Sequence, residues 1–241
     1  MLGNFLEFGL TSQPVAEAFQ FYRSIGFQSV TVGDLLDHPY AVVSDGGICI
    51  GLHEWELEGP RLTFVRPDLE HYLRALRRQR VEFEVTRLAP DEFNELGFRD
   101  PNGQLVTLLE ARTFSPGSWP DHDTSVCGRF LEFSLATNSI TGSRDFWEKL
   151  GLEAMDEGEK PHPWIRLQGR GLTLGLHENV TFVSGLTFIA EGLPARMEYM
   201  QAMGLELRSG SPFRSSRAES ATLIAPGGGA IFLLEAGSSG T

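Results

Sequence analysis

The feature that most constrains this chain is an internal repeat. Asn4 to Phe27, NFLEFGLTSQPVAEAFQFYRSIGF, returns as Arg129 to Leu152, RFLEFSLATNSITGSRDFWEKLGL. Phe5-Leu6-Glu7-Phe8 matches Phe130-Leu131-Glu132-Phe133, and Gly26 matches Gly151. The correspondence continues. His38-Pro39-Tyr40 matches His162-Pro163-Trp164, Gly51-Leu52-His53-Glu54 matches Gly175-Leu176-His177-Glu178, and Leu108-Leu109-Glu110-Ala111 matches Leu233-Leu234-Glu235-Ala236. The offset holds at about 124 to 125 residues. That is far longer than a solenoid period, so the repeat is a duplicated domain. Whatever one half folds into, the other must fold into as well.

Each half divides again. An opening strand (5–10) leads into an amphipathic helix (15–24), and 28–32, 40–44 and 48–53 read as strands. The Asp45-Gly46-Gly47 turn closes a hairpin. The order then restarts with strand 61–65, helix 68–79 with Asp68 at the N-cap position, and strands 81–86, 93–99 and 105–109. In the second half we expect strands 130–136, 164–167, 172–177, 186–190, 206–209, 221–224 and 230–234, with helices 143–149 and 193–203. Pro194 suits a helix start. Ser209 to Glu219 reads as a polar loop. The chain is thus α+β: four strand-helix-strand-strand-strand modules in two pairs. The expected boundaries are 1–112, a linker 113–128 rich in Pro, Gly, Ser and Asp, and 129–237.

Composition narrows the partners. The net charge of −12 opposes phosphate-backbone binding, which depends on Lys and Arg. Arg74, Arg77, Arg78 and Arg80 read as a solvated helix face. The two cysteines, Cys49 in an apolar strand and Cys127 in the linker, form neither a disulfide framework nor a metal motif. No signal segment or membrane-length apolar run is evident. We expect a soluble cytoplasmic protein with no nucleic-acid or membrane partner, as a monomer or a homodimer.

The module pattern resembles the vicinal oxygen chelate superfamily, which includes glyoxalase I, extradiol dioxygenases, fosfomycin-resistance enzymes and bleomycin-resistance proteins. The residues that carry the resemblance are Phe21-Tyr22-Arg23-Ser24-Ile25-Gly26-Phe27, its copy Phe146-Trp147-Glu148-Lys149-Leu150-Gly151-Leu152, and the closing run from Phe98 through Asp100-Pro101-Asn102-Gly103 to Leu108. The resemblance implies two similar glyoxalase-like domains, each curling its strands into a cup. Strand alternation then turns Phe5, Glu7 and Gly9 into the first cup and Leu6, Phe8 and Leu10 under the helix. Cys49, Gly51, His53 and Thr107 also face the cup.

The metal-ligand positions implied by the resemblance fall on Glu7, Gly51, Arg61 and Thr107 in the first half. In the second they fall on Glu132, Gly175, Gly185 and Phe232. Only the glutamates can bind a cation, and the two-histidine, one-carboxylate triad suited to Fe(II) is missing. We therefore expect no metal and no cofactor. The alternative is a weak divalent ion held by Glu7 with His53, or by Glu132 with His177.

Without a metal, Glu7 is expected either to pair with Arg61 or to bind a polar ligand beside it. Glu132, facing Gly185 and Phe232, is expected either to have a raised pKa, as suits a general base or a partner for a cationic ligand, or to be satisfied by the linker, a backbone amide or His177. Glu7 and Glu132 are the candidate catalytic residues, and His53, Arg61, Thr107, Trp164, His177 and Phe232 the candidate ligand contacts. Tyr40 and Trp164 either wall a flat ligand or cap the core. His38 and His162, beside prolines at loop ends, are expected to be exposed. Trp55 and Trp119, in loops, suggest contacts with a ligand or another surface. The chain reads as a metal-independent protein that binds a small organic ligand in the manner of bleomycin-resistance proteins. The alternative is an enzyme of the same superfamily (lyase, isomerase or dioxygenase-like) using a cup glutamate as base.

Overall fold

A computed structural model describes residues 2–30, 38–55, 58–89, 93–111, 125–213 and 220–237. The first half runs β1 Asn4–Thr11, α1 Val15–Ser24, β2 Gln28–Val30, β3 Tyr40–Ser44, β4 Cys49–His53, β5 Arg61–Arg66, α2 Leu69–Arg78, β6 Phe83–Arg87, β7 Glu95–Arg99 and β8 Leu105–Glu110. The second runs β9 Arg129–Thr137, α3 Ile140–Lys149, β10 Glu153–Gly158, β11 Trp164–Gln168, β12 Thr173–Glu178, β13 Gly185–Ala190, α4 Leu193–Ala202, β14 Leu207–Ser209, β15 Ser220–Ile224 and β16 Ala230–Glu235.

Each half is one eight-stranded sheet with the same strand order. The first is β2-β3-β4-β1-β5-β8-β7-β6, the second β10-β11-β12-β9-β13-β16-β15-β14. In every module the first strand lies parallel to the fourth, a pairing that needs the intervening helix and hairpin. The modules join through antiparallel pairs of their first strands, β1 with β5 and β9 with β13.

The helix-bearing faces of the two sheets share one hydrophobic cluster. Phe8 meets Phe133 with ring centroids 4.7 Å apart, and Phe27 meets Phe188 at 6.3 Å. Main-chain bonds cross between the halves from Leu2 N–H to Leu150 C=O (3.3 Å) and from Phe5 N–H to Arg170 C=O (2.9 Å). The Trp147 indole donates to the Asp100 carboxylate at 3.3 Å. Cys127, at the end of the segment read as a linker, is fully buried in this cluster. Burial pushes its thiol up to about 12.

Several local expectations need correction. The register of β1 against β5 slips between Phe5 and Glu7, and that of β9 against β13 slips between Phe130 and Glu132. The extra residue reverses the alternation. Phe5 therefore joins the core, edge-to-face with Phe64 at 5.4 Å, rather than facing the cup, and Leu6 is left only half-buried. Asp68 stands at the N-cap of α2 but caps nothing with its side chain. Glu110 at the end of β8 accepts from the Asp68 amide instead (2.9 Å), and Glu235 at the end of β16 likewise accepts from Gly192 and Leu193 (2.9 and 2.5 Å). These carboxylates satisfy amides that a helix start otherwise leaves free. Helix α3 begins three residues earlier than expected, at Ile140, because Ser139 caps it by accepting from Gly142 N–H. Strand β10 was not anticipated, since its sequence EAMDEG is polar and exposed and shows no alternation. The arginine cluster 74–80 is exposed, as expected. Among the described residues no helix is long and apolar enough to cross a membrane.

Candidate functional site

The sheet faces turned away from the helices carry the positions read from the resemblance as the two cups. Glu7 on β1 lies across Gly51 on the neighbouring β4. A methyl group at Gly51 would sit 2.3 Å from the Glu7 carboxylate, and one at Gly175 would sit 2.1 Å from that of Glu132. Glycine at these positions is the space that lets each glutamate reach along the sheet to a histidine.

Glu7 Oε1 accepts from His53 Nε2 at 2.8 Å, and His53 Nδ1 lies 3.0 Å from His38 Nε2. The second cup repeats the chain, with Glu132 Oε1 to His177 Nε2 at 2.6 Å and His177 Nδ1 to His162 Nε2 at 3.0 Å. An ionised carboxylate can only accept, so the inner histidine donates to it from Nε2–H. One proton lies between the inner Nδ1 and the outer Nε2, and the tautomers decide which ring donates it. Two glutamate-histidine-histidine chains result.

The outer histidines were expected to be exposed, and the structure corrects this. His162 is only 9% exposed and His38 half-buried, because each is drawn in by the chain. Burial, and after it the neighbouring His177, lower the pKa of His162 to about 4, so it is neutral near pH 7. The spacing of 15 residues between outer and inner histidine recurs in both halves. That repeated spacing was the sequence signal for the chain.

The cups differ around this common element. In the second cup Arg166 on β11 donates from Nε to Glu132 Oε2 at 2.6 Å and from Nη1 to Asp156 at 2.9 Å. Ser134 Oγ donates to Glu132 Oε1 at 2.8 Å and lies 2.6 Å from Thr187 Oγ1. Burial raises the Glu132 pKa, but the His177 hydrogen bond and charge and the Arg166 cation outweigh it, and the net shift is downward. The expected raised pKa is therefore wrong. Glu132 faces not only Gly185 and Phe232 but an arginine from the adjacent strand, so a basic free carboxylate is not what this cup offers. Phe232 packs edge-to-face on Phe182 and Phe213 at 5.7 and 5.1 Å, with Phe213 4.5 Å from the His177 ring. Trp164 stacks on the Arg166 guanidinium at 4.6 Å and donates to Lys160 C=O at 3.1 Å. Phe232 and Trp164, read as ligand contacts, are thus engaged with their own protein.

In the first cup register places Val42 where the second cup has Arg166, Val30 in place of Asp156, and Gly9 in place of Ser134. The proposed Glu7–Arg61 pair is absent, and Glu7 pairs with His53 instead. Arg61 Nε and Thr63 Oγ1 are buried without a hydrogen-bond partner among the described residues. Thr63 stands opposite Thr107 in the β5–β8 register, so Arg61, Thr63, Thr107, Glu7 and His53 share one face. Tyr40 stacks on His53 at 5.9 Å with rings within 7° of parallel. Trp55 is 64% exposed with its ring 6.1 Å from that of His38. Trp119 lies outside the described residues.

The donor set does not suit a transition metal. Among the described residues no three His, Cys, Asp or Glu side chains converge as ligands. In each cup the glycine that replaces one implied ligand is covered by the glutamate itself. The other implied positions hold Arg61 and Thr107, or Gly185 and Phe232, and a tight site wants three or four protein donors.

No family model and no curated protein sequence matches the chain. Solved structures do. A catechol 2,3-dioxygenase matches with TM-score 0.61 and 15% identity over 97% of this chain and 88% of its own. A 2,3-dioxygenase from a Pseudomonas species matches with TM-score 0.63 and 14% identity over 98% and 94%. Homoprotocatechuate 2,3-dioxygenase from Brevibacterium fuscum matches with TM-score 0.61 and 12% identity over 97% and 71%. At such identities the likeness concerns the fold, and it spans nearly the whole chain.

Proposed function

Taking the vicinal oxygen chelate fold as premise, we propose that this chain is a metal-independent small-molecule binding protein whose first cup is the ligand site. The carrying observation is the pair of buried groups there, Arg61 Nε and Thr63 Oγ1, that have no partner among the described residues. Buried polar atoms nearly always have a partner, and leaving one unpaired costs about 1–3 kcal/mol. A bound molecule with a carboxylate or carbonyl acceptor supplies what Arg61 lacks. Its body lies between Tyr40 and the Thr63–Thr107 ladder, and Glu7 with His53 offers further polar contact.

The test is a melting-temperature screen of aromatic acids, amides and ketones, followed by calorimetry. Saturating ligand at about 100 Kd stabilises the fold by about 2.7 kcal/mol. Arg61→Gln abolishes that shift while Arg166→Gln leaves ligand binding intact. Metal analysis of the purified chain decides against the proposal if it finds one tightly held Mn, Fe, Ni or Zn per chain that Glu7→Gln releases.

A second reading rests on the Glu7–His53–His38 chain. An inner histidine held by a carboxylate is the usual frame of a general base. In an enzyme of this fold the histidine pair takes the substrate proton and the carboxylate steadies the charge that develops. Recovery of chemically unchanged ligand after long incubation rules this out. Turnover lost in His38→Ala supports it.

A further inference from the structure

We propose that the groove between the two halves is a second binding site, for a carboxylate or phosphate carried on a small apolar body. The groove has a cavity volume of about 620 Å³ and lies away from both cups. Leu2, Phe64, Leu150 and Leu152 form its apolar wall, and Arg66 and Arg170 its cationic end.

Arg66 is the observation that points to a ligand. It ends β5, and its carbonyl is taken by Ala111 N–H at 3.0 Å. The residue is only 8% exposed, yet Nε and Nη1 find no acceptor among the described residues. Its guanidinium carbon lies over the Tyr72 ring, 2.8 Å from the centroid, which holds the head group at that face. Asp68 acts on Arg66 only through space, with no ion pair between them, and buried guanidinium donors left open suit an oxyanion. Burial, and more weakly the Arg170 cation, weaken the hold of Arg66 on its proton, opposed by Tyr72 and Asp68. An anion seated between the two guanidiniums relieves both burdens. Arg170 is brought here by the main-chain bond from Phe5 N–H to Arg170 C=O, so both halves are needed to build the site. Glu153, exposed, is the acidic side chain among the residues that line the groove.

The probes are benzoate, phenyl phosphate and inorganic phosphate, titrated into the full chain by calorimetry up to about 10 mM. We expect benzoate or phenyl phosphate to bind, and whichever binds more tightly names the anion. Inorganic phosphate, without an apolar body, binds more weakly. Arg66→Gln weakens binding at least tenfold, Arg170→Glu does the same from the solvent side, and Arg61→Gln in the first cup leaves it unchanged. Absence of binding by all three probes overturns the proposal. So does binding that survives Arg170→Glu, a surface change that keeps the fold even where Arg66→Gln does not. Loss on Arg61→Gln alone assigns the ligand to the first cup instead, so the two readings fail separately.

Discussion

The two cups start from one duplicated plan and finish differently. Both keep the glutamate lying over a glycine and the pair of histidines behind it. In the second cup an arginine, an aspartate and a serine satisfy the surrounding polar atoms, and three phenylalanines fill the floor. In the first, valines and a glycine stand at those positions and two polar atoms stay unpaired among the described residues. The same plan thus closes its polar groups on themselves in one half and leaves two of them open in the other.

The largest predicted effect breaks the sealed cup. Glu132→Gln leaves Arg166 and His177 without their anion, and loss of one partner of a buried pair costs about 3 kcal/mol or more. Glu7→Gln should cost less than half of that, since no arginine depends on it. Equal losses in urea unfolding would mean the cups are energetically alike. Next comes acid. His162 titrates near 4 when folded against 6.5 otherwise, so the folded state resists its protonation. Its stabilising contribution is whole above pH 6.5 and declines as pH falls toward 4. Glu132, with its lowered pKa, adds a further loss below 4.5. His162→Gln should flatten the 6.5-to-4 part of the curve, measured by thermal unfolding across pH. The smallest effect converts one cup toward the other. Gly9→Ser has room for its Cβ, 3.4 Å from His53 and 3.7 Å from Arg61. It gives Thr63 the partner that Thr187 already has, stabilising by about 1 kcal/mol and lowering ligand affinity at the first cup. An unchanged melting temperature with unchanged affinity would show that Thr63 is not part of the receptive surface.

The duplication made most of the fold legible, because each assignment could be checked against its copy. Glu7, Glu132, His53 and His177 were readable for the same reason. What escaped depends on neighbouring strands. Arg166 has Val42 as its counterpart, so no repeat marked it, and only the register of β11 against β12 brings it to Glu132. The slips near Phe5 and Phe130 depend on how β1 meets β5 and β9 meets β13, which single-strand alternation does not encode. The polar strand β10 gives no hydrophobic period to read.

The glycines beneath the two glutamates also restrict what can replace them. A side chain introduced at Gly51 or Gly175 would take volume the carboxylate now fills, so the acid would have to swing aside and release its imidazole. A change at either glycine is therefore felt first at the histidine behind the glutamate.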